Sequence, residues 1–122
     1  MAISPDKKTI NNVNAEVARL ILSAVPYDKG FHFFMTDGHY TGESATSLAT
    51  FSKDLEREDI QSIRFHFDRG DFQKWIKTII GDEELAARID KIGKKDSDET
   101  LRKKLVEVLQ KRLSELQQAL ES

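Results

Sequence analysis

Apolar residues recur along this chain at spacings that change from segment to segment, and each spacing names an element. Ile10, Val13, Val17, Leu20 and Ala24 step by three and four, which lines one face of a helix. The pattern predicts a helix over 6–25. Pro26 stops it, because proline disfavours the α conformation in the residue before it. Phe31-His32-Phe33-Phe34-Met35-Thr36 is aromatic-rich and of strand length. Phe31, Phe33 and Met35 share one face of that strand; His32, Phe34 and Thr36 share the other. Asp37-Gly38 suits a tight turn, with His39-Tyr40-Thr41 as the short return strand. A lone hairpin is not stable in water, so at least one of its faces must pack on helices.

Helical periodicity dominates from there on. Ser44 or Thr46 can cap a helix that buries Leu48, Phe51 and Leu55. Residues 60–67 fit two templates, a helix through Ile60, Ile63 and Phe67 or a strand through Ile63, Phe65 and Phe67. Helix is preferred, since no turn residues separate this stretch from the acidic segment before it. Asp71 can cap a helix that runs to Ile80 and buries Phe72, Trp75, Ile76 and Ile79. Gly81 ends it, and Asp82 caps another, with Glu83 and Glu84 complementing the dipole of its first turn. Leu85, Ile89 and Ile92 line its inner face. Ser97 caps the last helix, where Val106, Leu109, Leu113, Leu116 and Leu120 repeat the spacing of the first. Leu101 and Leu105 widen that apolar face beyond a narrow seam. The fold expected is α+β and helix-dominated: one β-hairpin packed with about five helices and a long amphipathic C-terminal helix. A chain of 122 residues suits a single domain over 1–122. Its core is expected at about 27–92, flanked by the amphipathic helices 6–25 and 97–121.

Composition narrows the function classes. Charged residues make up 33% of the chain, above the usual quarter, so the surface is dense in ions. The lack of cysteine removes thiol catalysis, disulfides and cysteine-type metal sites. A net charge of −2 argues against nucleic acid as a partner, because that affinity rests on neutralising phosphates. No apolar run approaches the length of a membrane span, and none resembles a secretory signal. The expected location is cytoplasmic, with no membrane partner.

The most chemical-looking group is His66, Arg69, Asp71 and Trp75. If two helices meet at Gly70, these side chains can converge on the break, with His66 and Asp71 as an acid–base pair and Arg69 facing an anion. The plainer interpretation has Asp71 capping a helix, Trp75 and Phe72 in the core, and His66 satisfying a backbone carbonyl. His32, Asp37, His39 and Glu43 surround the hairpin, but no spacing places two of them on one face as metal ligands; no metal and no cofactor is expected. Gly38 and Gly42 are too few for a phosphate loop, and Ser44 and Ser47 lack the context of a hydrolase nucleophile. No residue is assigned a catalytic role, and the balance leans away from an enzyme. Basic residues gather over 88–112, yet acids are interspersed and stacking aromatics are missing.

The run Phe65-His66-x-x-Arg69-Gly70-Asp71-Phe72-x-x-Trp75-Ile76, followed by Ile80-Gly81-Asp82-x-x-Leu85-Ala86, resembles a family of small prokaryotic domains, many of them archaeal, whose function is unknown. The Ser47-Leu48-Ala49-Thr50-Phe51 helix start is similar too. The resemblance covers about residues 31–92 and implies helix over 60–80; it brings no activity, substrate or site residues with it.

The function expected on these grounds is a non-enzymatic protein-interaction or regulatory module. Its partner is a second copy or another protein, met through the terminal helices with Val106, Leu109, Leu113, Leu116 and Leu120 as interface. The alternative is a small-molecule or anion-binding domain, with weak catalysis in view, centred on His66, Arg69, Asp71 and Trp75. Nucleic-acid binding through 88–112 ranks third.

Overall fold

A computed structural model describes residues 13–121. In chain order the described residues form α1 (Ala15–Leu22), a 3-10 turn (Tyr27–Lys29), β1 (Phe31–Phe34), β2 (Tyr40–Ala45), α2 (Leu48–Arg57) and α3 (Ile60–Arg69). These are followed by α4 (Asp71–Trp75), which runs on into a π-helical turn (Ile76–Ile80), then α5 (Glu83–Asp90) and α6 (Asp98–Glu121). The architecture is the helix-dominated α+β fold that the periodicities predict, with one antiparallel hairpin and a long C-terminal helix.

Asn14 caps α1 by accepting the Val17 N–H at 2.9 Å, and the helix closes at Ser23. It buries Ala18 and Ile21, whereas Val17 is 41% and Leu20 72% exposed; Ala24 is exposed as well. The predicted stripe therefore points away from the core, although Val13, just ahead of the helix, is buried. The cause is that α1 is apolar on two sides. Ala18 and Ile21, with Leu22 and Val25 at the rim, lie roughly a third of a turn round from the stripe, and that side meets α6. The helix is also shorter than 6–25; Ile10 lies outside the described residues.

In the hairpin, Phe31 pairs with Ala45, His32 with Ser44 and Phe34 with Tyr40. Phe33 alone thus faces the three residues Thr41, Gly42 and Glu43, a bulge on β2 that Gly42 turns at φ +95°, a value that glycine alone adopts at little cost. Because of the bulge, the return strand runs to Ala45 and not merely over 39–41. Ser44 is consumed in it, and Ser47 caps α2 instead, accepting the Thr50 N–H at 3.2 Å. Of the two faces of β1, that of Phe31 and Phe33 turns inward, and both rings pack with Phe51.

Residues 60–69 are helix, started by the Asp59 carboxylate on the Gln61 N–H at 2.8 Å. Gly70, at φ +74°, closes α3 and opens α4. Gly70 and not Asp71 holds the cap position; Asp71 is the first helical residue, with its side chain directed elsewhere. The π turn has a similar consequence. The Gly81 N–H reaches five residues back to the Ile76 carbonyl, at 2.8 Å, so the turn contains one extra residue. Ile80 takes the inward place at 8% exposure, and Ile79, expected inside, is 38% exposed.

Helix α6 packs on α1, α2 and α5 and buries Leu101, Leu105, Leu109, Arg112 and Leu116. Of the five residues expected at an interface, Leu109 and Leu116 are wholly enclosed in the chain's own core, while Val106, Leu113 and Leu120 are half-buried against it. The inward register thus begins at Leu101 and passes through a charge. Arg112 grips Asp82 in two hydrogen bonds, Nε to Oδ2 at 2.8 Å and Nη2 to Oδ1 at 3.0 Å, with both side chains about 2% exposed or less. Asp82 also caps α5 through the Leu85 N–H. Glu115 links Arg112 to Arg88, which reaches Glu84.

Candidate functional site

Gly70 turns the chain sharply between α3 and α4, and the hairpin lies across that corner. Between them is a cleft of about 350 Å³. Phe31, His32 and Phe34 line it from the hairpin, Asp37 and Gly38 from the turn, and Phe65, His66, Arg69 and Asp71 from the corner.

His66 is 4% exposed and sits on three sides against Phe31, Phe33 and Phe72. Its Nε2 lies 2.9 Å from the Phe34 N–H. A backbone N–H can only donate, so Nε2 is the unprotonated nitrogen and Nδ1 carries the hydrogen. Nδ1 then donates to Asp71 Oδ2 at 2.8 Å. Burial holds the imidazole below its ordinary pKa, against the upward pull of Asp71, so the ring is neutral. One helical turn earlier, Ser62 Oγ donates to the Phe34 carbonyl at 2.7 Å. Together, Ser62 and His66 satisfy both backbone groups of Phe34 and close that stretch of the strand.

Arg69 reaches Asp37 Oδ1 at 2.9 Å and Asp71 Oδ2 at 3.4 Å, and its guanidinium lies 4.8 Å over the Phe65 ring. The cleft therefore holds one guanidinium between two carboxylates beside a neutral histidine. This balance disfavours an anion.

Three of the four expected residues meet here; Trp75 does not. Its indole is 7% exposed, packs on Phe31 and Phe51, and donates Nε1–H to the Lys29 carbonyl at 2.9 Å. It anchors the turn that leads into β1. His66 satisfies a backbone amide and not a carbonyl. The hairpin residues Phe31, His32, Phe34 and Asp37, with Phe65 on α3, complete the site, although no local pattern groups them with His66, Arg69 and Asp71. The usable signal was the outward face of β1, where His32 and Phe34 recur with no helix predicted to cover them.

A second concavity, also about 350 Å³, adjoins the first across His32 and Phe34 and is lined by Tyr27, His32, Phe34 and Tyr40. Beneath the β2 bulge, Asp54 and Glu58 are buried. Burial, and for both the nearby Glu43 charge, raises their pKa values above the usual carboxylate range. Asp54 Oδ2 has no hydrogen-bond partner. Among the described residues, no three His, Asp or Glu side chains gather as a metal ion would require, and no helix is long and apolar enough to cross a membrane. Several basic side chains of 88–112 are engaged within the chain. Arg88 and Arg112 hold acids, Arg102 donates to the Leu55 and Glu58 carbonyls, and Lys104 pairs with Asp96.

The chain matches no protein-family model, no curated protein and no solved structure.

Proposed function

We propose that this chain is a non-catalytic recognition domain that binds a small ligand in the cleft between the hairpin and the α3–α4 corner. The observation that carries this reading is the state of His66. A general base needs an accessible lone pair, and the only lone pair of this imidazole is taken by the Phe34 amide. What the cleft offers a visitor is aromatic surface from Phe31, Phe34 and Phe65, with a guanidinium and two carboxylates at its rim. A largely apolar concavity with a few fixed polar groups is the usual build of a small-molecule site. Its charge balance favours a neutral or cationic ligand over an anion.

The test is a fragment screen followed by amide chemical shifts. Binders should perturb Phe31, Phe34, Phe65 and Asp71 together, and Phe65→Ala should weaken them by about 10-fold. Hits scattered over other surfaces, or none at all, would remove the reading.

A second reading, self-association through a terminal helix, is favoured by one observation. Val17 and Leu20 stand exposed on the outer side of α1. The contact would then involve α1 and not the enclosed Leu109 and Leu116 of α6. Light scattering at tens of micromolar decides it, since a monomer at that concentration ends the proposal, and a dimer abolished by Leu20→Glu supports it.

A further inference from the structure

Tyr27 and Tyr40 are 63% and 45% exposed, an unusual disposition for two large rings so close together. With His32 and Phe34 they line a shallow bowl that has no aliphatic member. The rings touch in sequence: Tyr27 to His32 at 4.8 Å between centroids, His32 to Tyr40 at 6.2 Å, and Tyr40 to Phe34 at 5.6 Å. Polar contacts hold them in place. Ser44 Oγ lies 2.6 Å from both His32 Nδ1 and the Tyr40 hydroxyl, and the two tyrosine hydroxyls are 3.3 Å apart. The bowl is thus ordered before anything enters it, which lowers the entropic cost of binding.

Its charge surroundings are acidic. The segment from Tyr27 to Ala45 carries Asp28, Asp37 and Glu43 against the single cation Lys29, and the adjoining cleft adds Asp71 and Arg69, which pair with each other and with Asp37. Aromatic faces are negative at their centres and attract cations. A weakly hydrated organic cation gains most from such a surface, because it gives up little water on leaving solution.

On the proposed recognition role of this face, we infer that the bowl of Tyr27, His32, Phe34 and Tyr40 binds an alkylated ammonium group, with the rest of the ligand extending across His32 and Phe34 into the cleft. Choline is the minimal probe, and 3,3-dimethylbutan-1-ol is its neutral counterpart of equal shape. Both are titrated into the full chain and followed by aromatic and amide chemical shifts. Choline should bind in the millimolar range, about 5- to 30-fold more tightly than the neutral alcohol, with shifts centred on Tyr27, His32, Phe34 and Tyr40. Tyr27→Leu and Tyr40→Leu, both at exposed positions, should each weaken choline by at least about 3-fold. Tyr40→Phe keeps the ring and should retain binding.

Equal affinity for choline and the alcohol overturns the inference, since the bowl is then merely apolar. Shifts confined to Phe65, His66 and Arg69 also overturn it but leave the recognition role intact, because the cation has chosen the deeper cleft. Silence towards choline removes the cation, and the recognition role falls with it only if the fragment screen is silent too.

Discussion

Replacing Arg112 by methionine should destabilise the protein severely, although methionine fills much of the same space. The arginine is 2% exposed and its partner Asp82 1%. Removing it leaves a carboxylate in the interior with the Leu85 N–H still attached but no counter-charge, while Glu115 keeps only Arg88. Breaking a buried pair on one side costs about 3–5 kcal/mol, chiefly the penalty of the stranded charge. Domains of this kind have total stabilities of about 5–15 kcal/mol, so the variant should be marginal. At roughly 3–5 °C per kcal/mol for a domain of this size, the melting temperature should fall by about 10–20 °C. Urea unfolding followed by far-UV circular dichroism reads the effect as a lower midpoint at unchanged slope. Asp82→Asn retains a side chain that caps a helix well and removes the charge. Combining it with Arg112→Met should therefore recover at least about 1.5 kcal/mol relative to the sum of the single changes. A cost below about 1 kcal/mol for Arg112→Met, or strict additivity in the double variant, would refute the account of this pair.

Asp54→Asn should stabilise the protein at pH 7 by an amount of order 1 kcal/mol, because it removes a buried carboxylate whose Oδ2 is unpartnered. The pKa of Asp54 is raised on folding, so the advantage should vanish as pH falls through that raised value and the native acid takes up its proton; urea midpoints at pH 4 and 7 check both statements. His66 shifts the other way. Its pKa is lowered on folding, so below about pH 6.5 the unfolded chain gains protons that the folded ring refuses, and stability falls. In His66→Gln that component of the pH dependence should be missing. Ile80→Ala should cost about 2–4 kcal/mol and Ile79→Ala under about 0.5 kcal/mol, measured by chemical denaturation; the reverse ranking would mean that the π turn is absent in solution.

Much of the fold could be anticipated from local pattern, and the exceptions share a cause. Leu48, Phe51 and Leu55, and again Leu85 and Ile89, face inward as their spacing says, because each sits on a helix with one apolar side, and Ile92 is buried just past the end of its helix. Asp82 and Ser97 cap where their positions suggest. Helix α1 has two apolar sides, and periodicity cannot choose between them without knowing where α6 lies. Arg112 faces the core only because Asp82, thirty residues away, meets it there; no local rule turns an arginine inward. The π turn moves Ile80 ahead of Ile79 through one backbone insertion that leaves no mark on the hydrophobic pattern. The same limit applies to the site. Arg69, Gly70 and Asp71 are adjacent in sequence and could be grouped in advance, but Phe31, Phe34 and Asp37 join them only through the placement of the hairpin. Trp75 was drawn into the group by proximity along the chain, whereas its ring belongs to the turn at Lys29.

The hold of α3 on Phe34 has a consequence for storage and handling. Phe31 to Phe34 is an aromatic-rich strand, the kind of segment that templates pairing between molecules when its edge is open. Here the edge is sheathed at Phe34 by Ser62 and by the bare nitrogen of His66. Burial lowers the pKa of this imidazole, so the folded ring takes up a proton only in acid below the ordinary histidine range; once it does, that nitrogen faces the Phe34 N–H donor to donor. Protonation should then loosen the sheath from the strand. Acid of that strength should therefore turn this protein turbid as the edge is uncovered, and the solubility of a preparation should track the state of one imidazole more closely than it tracks net charge.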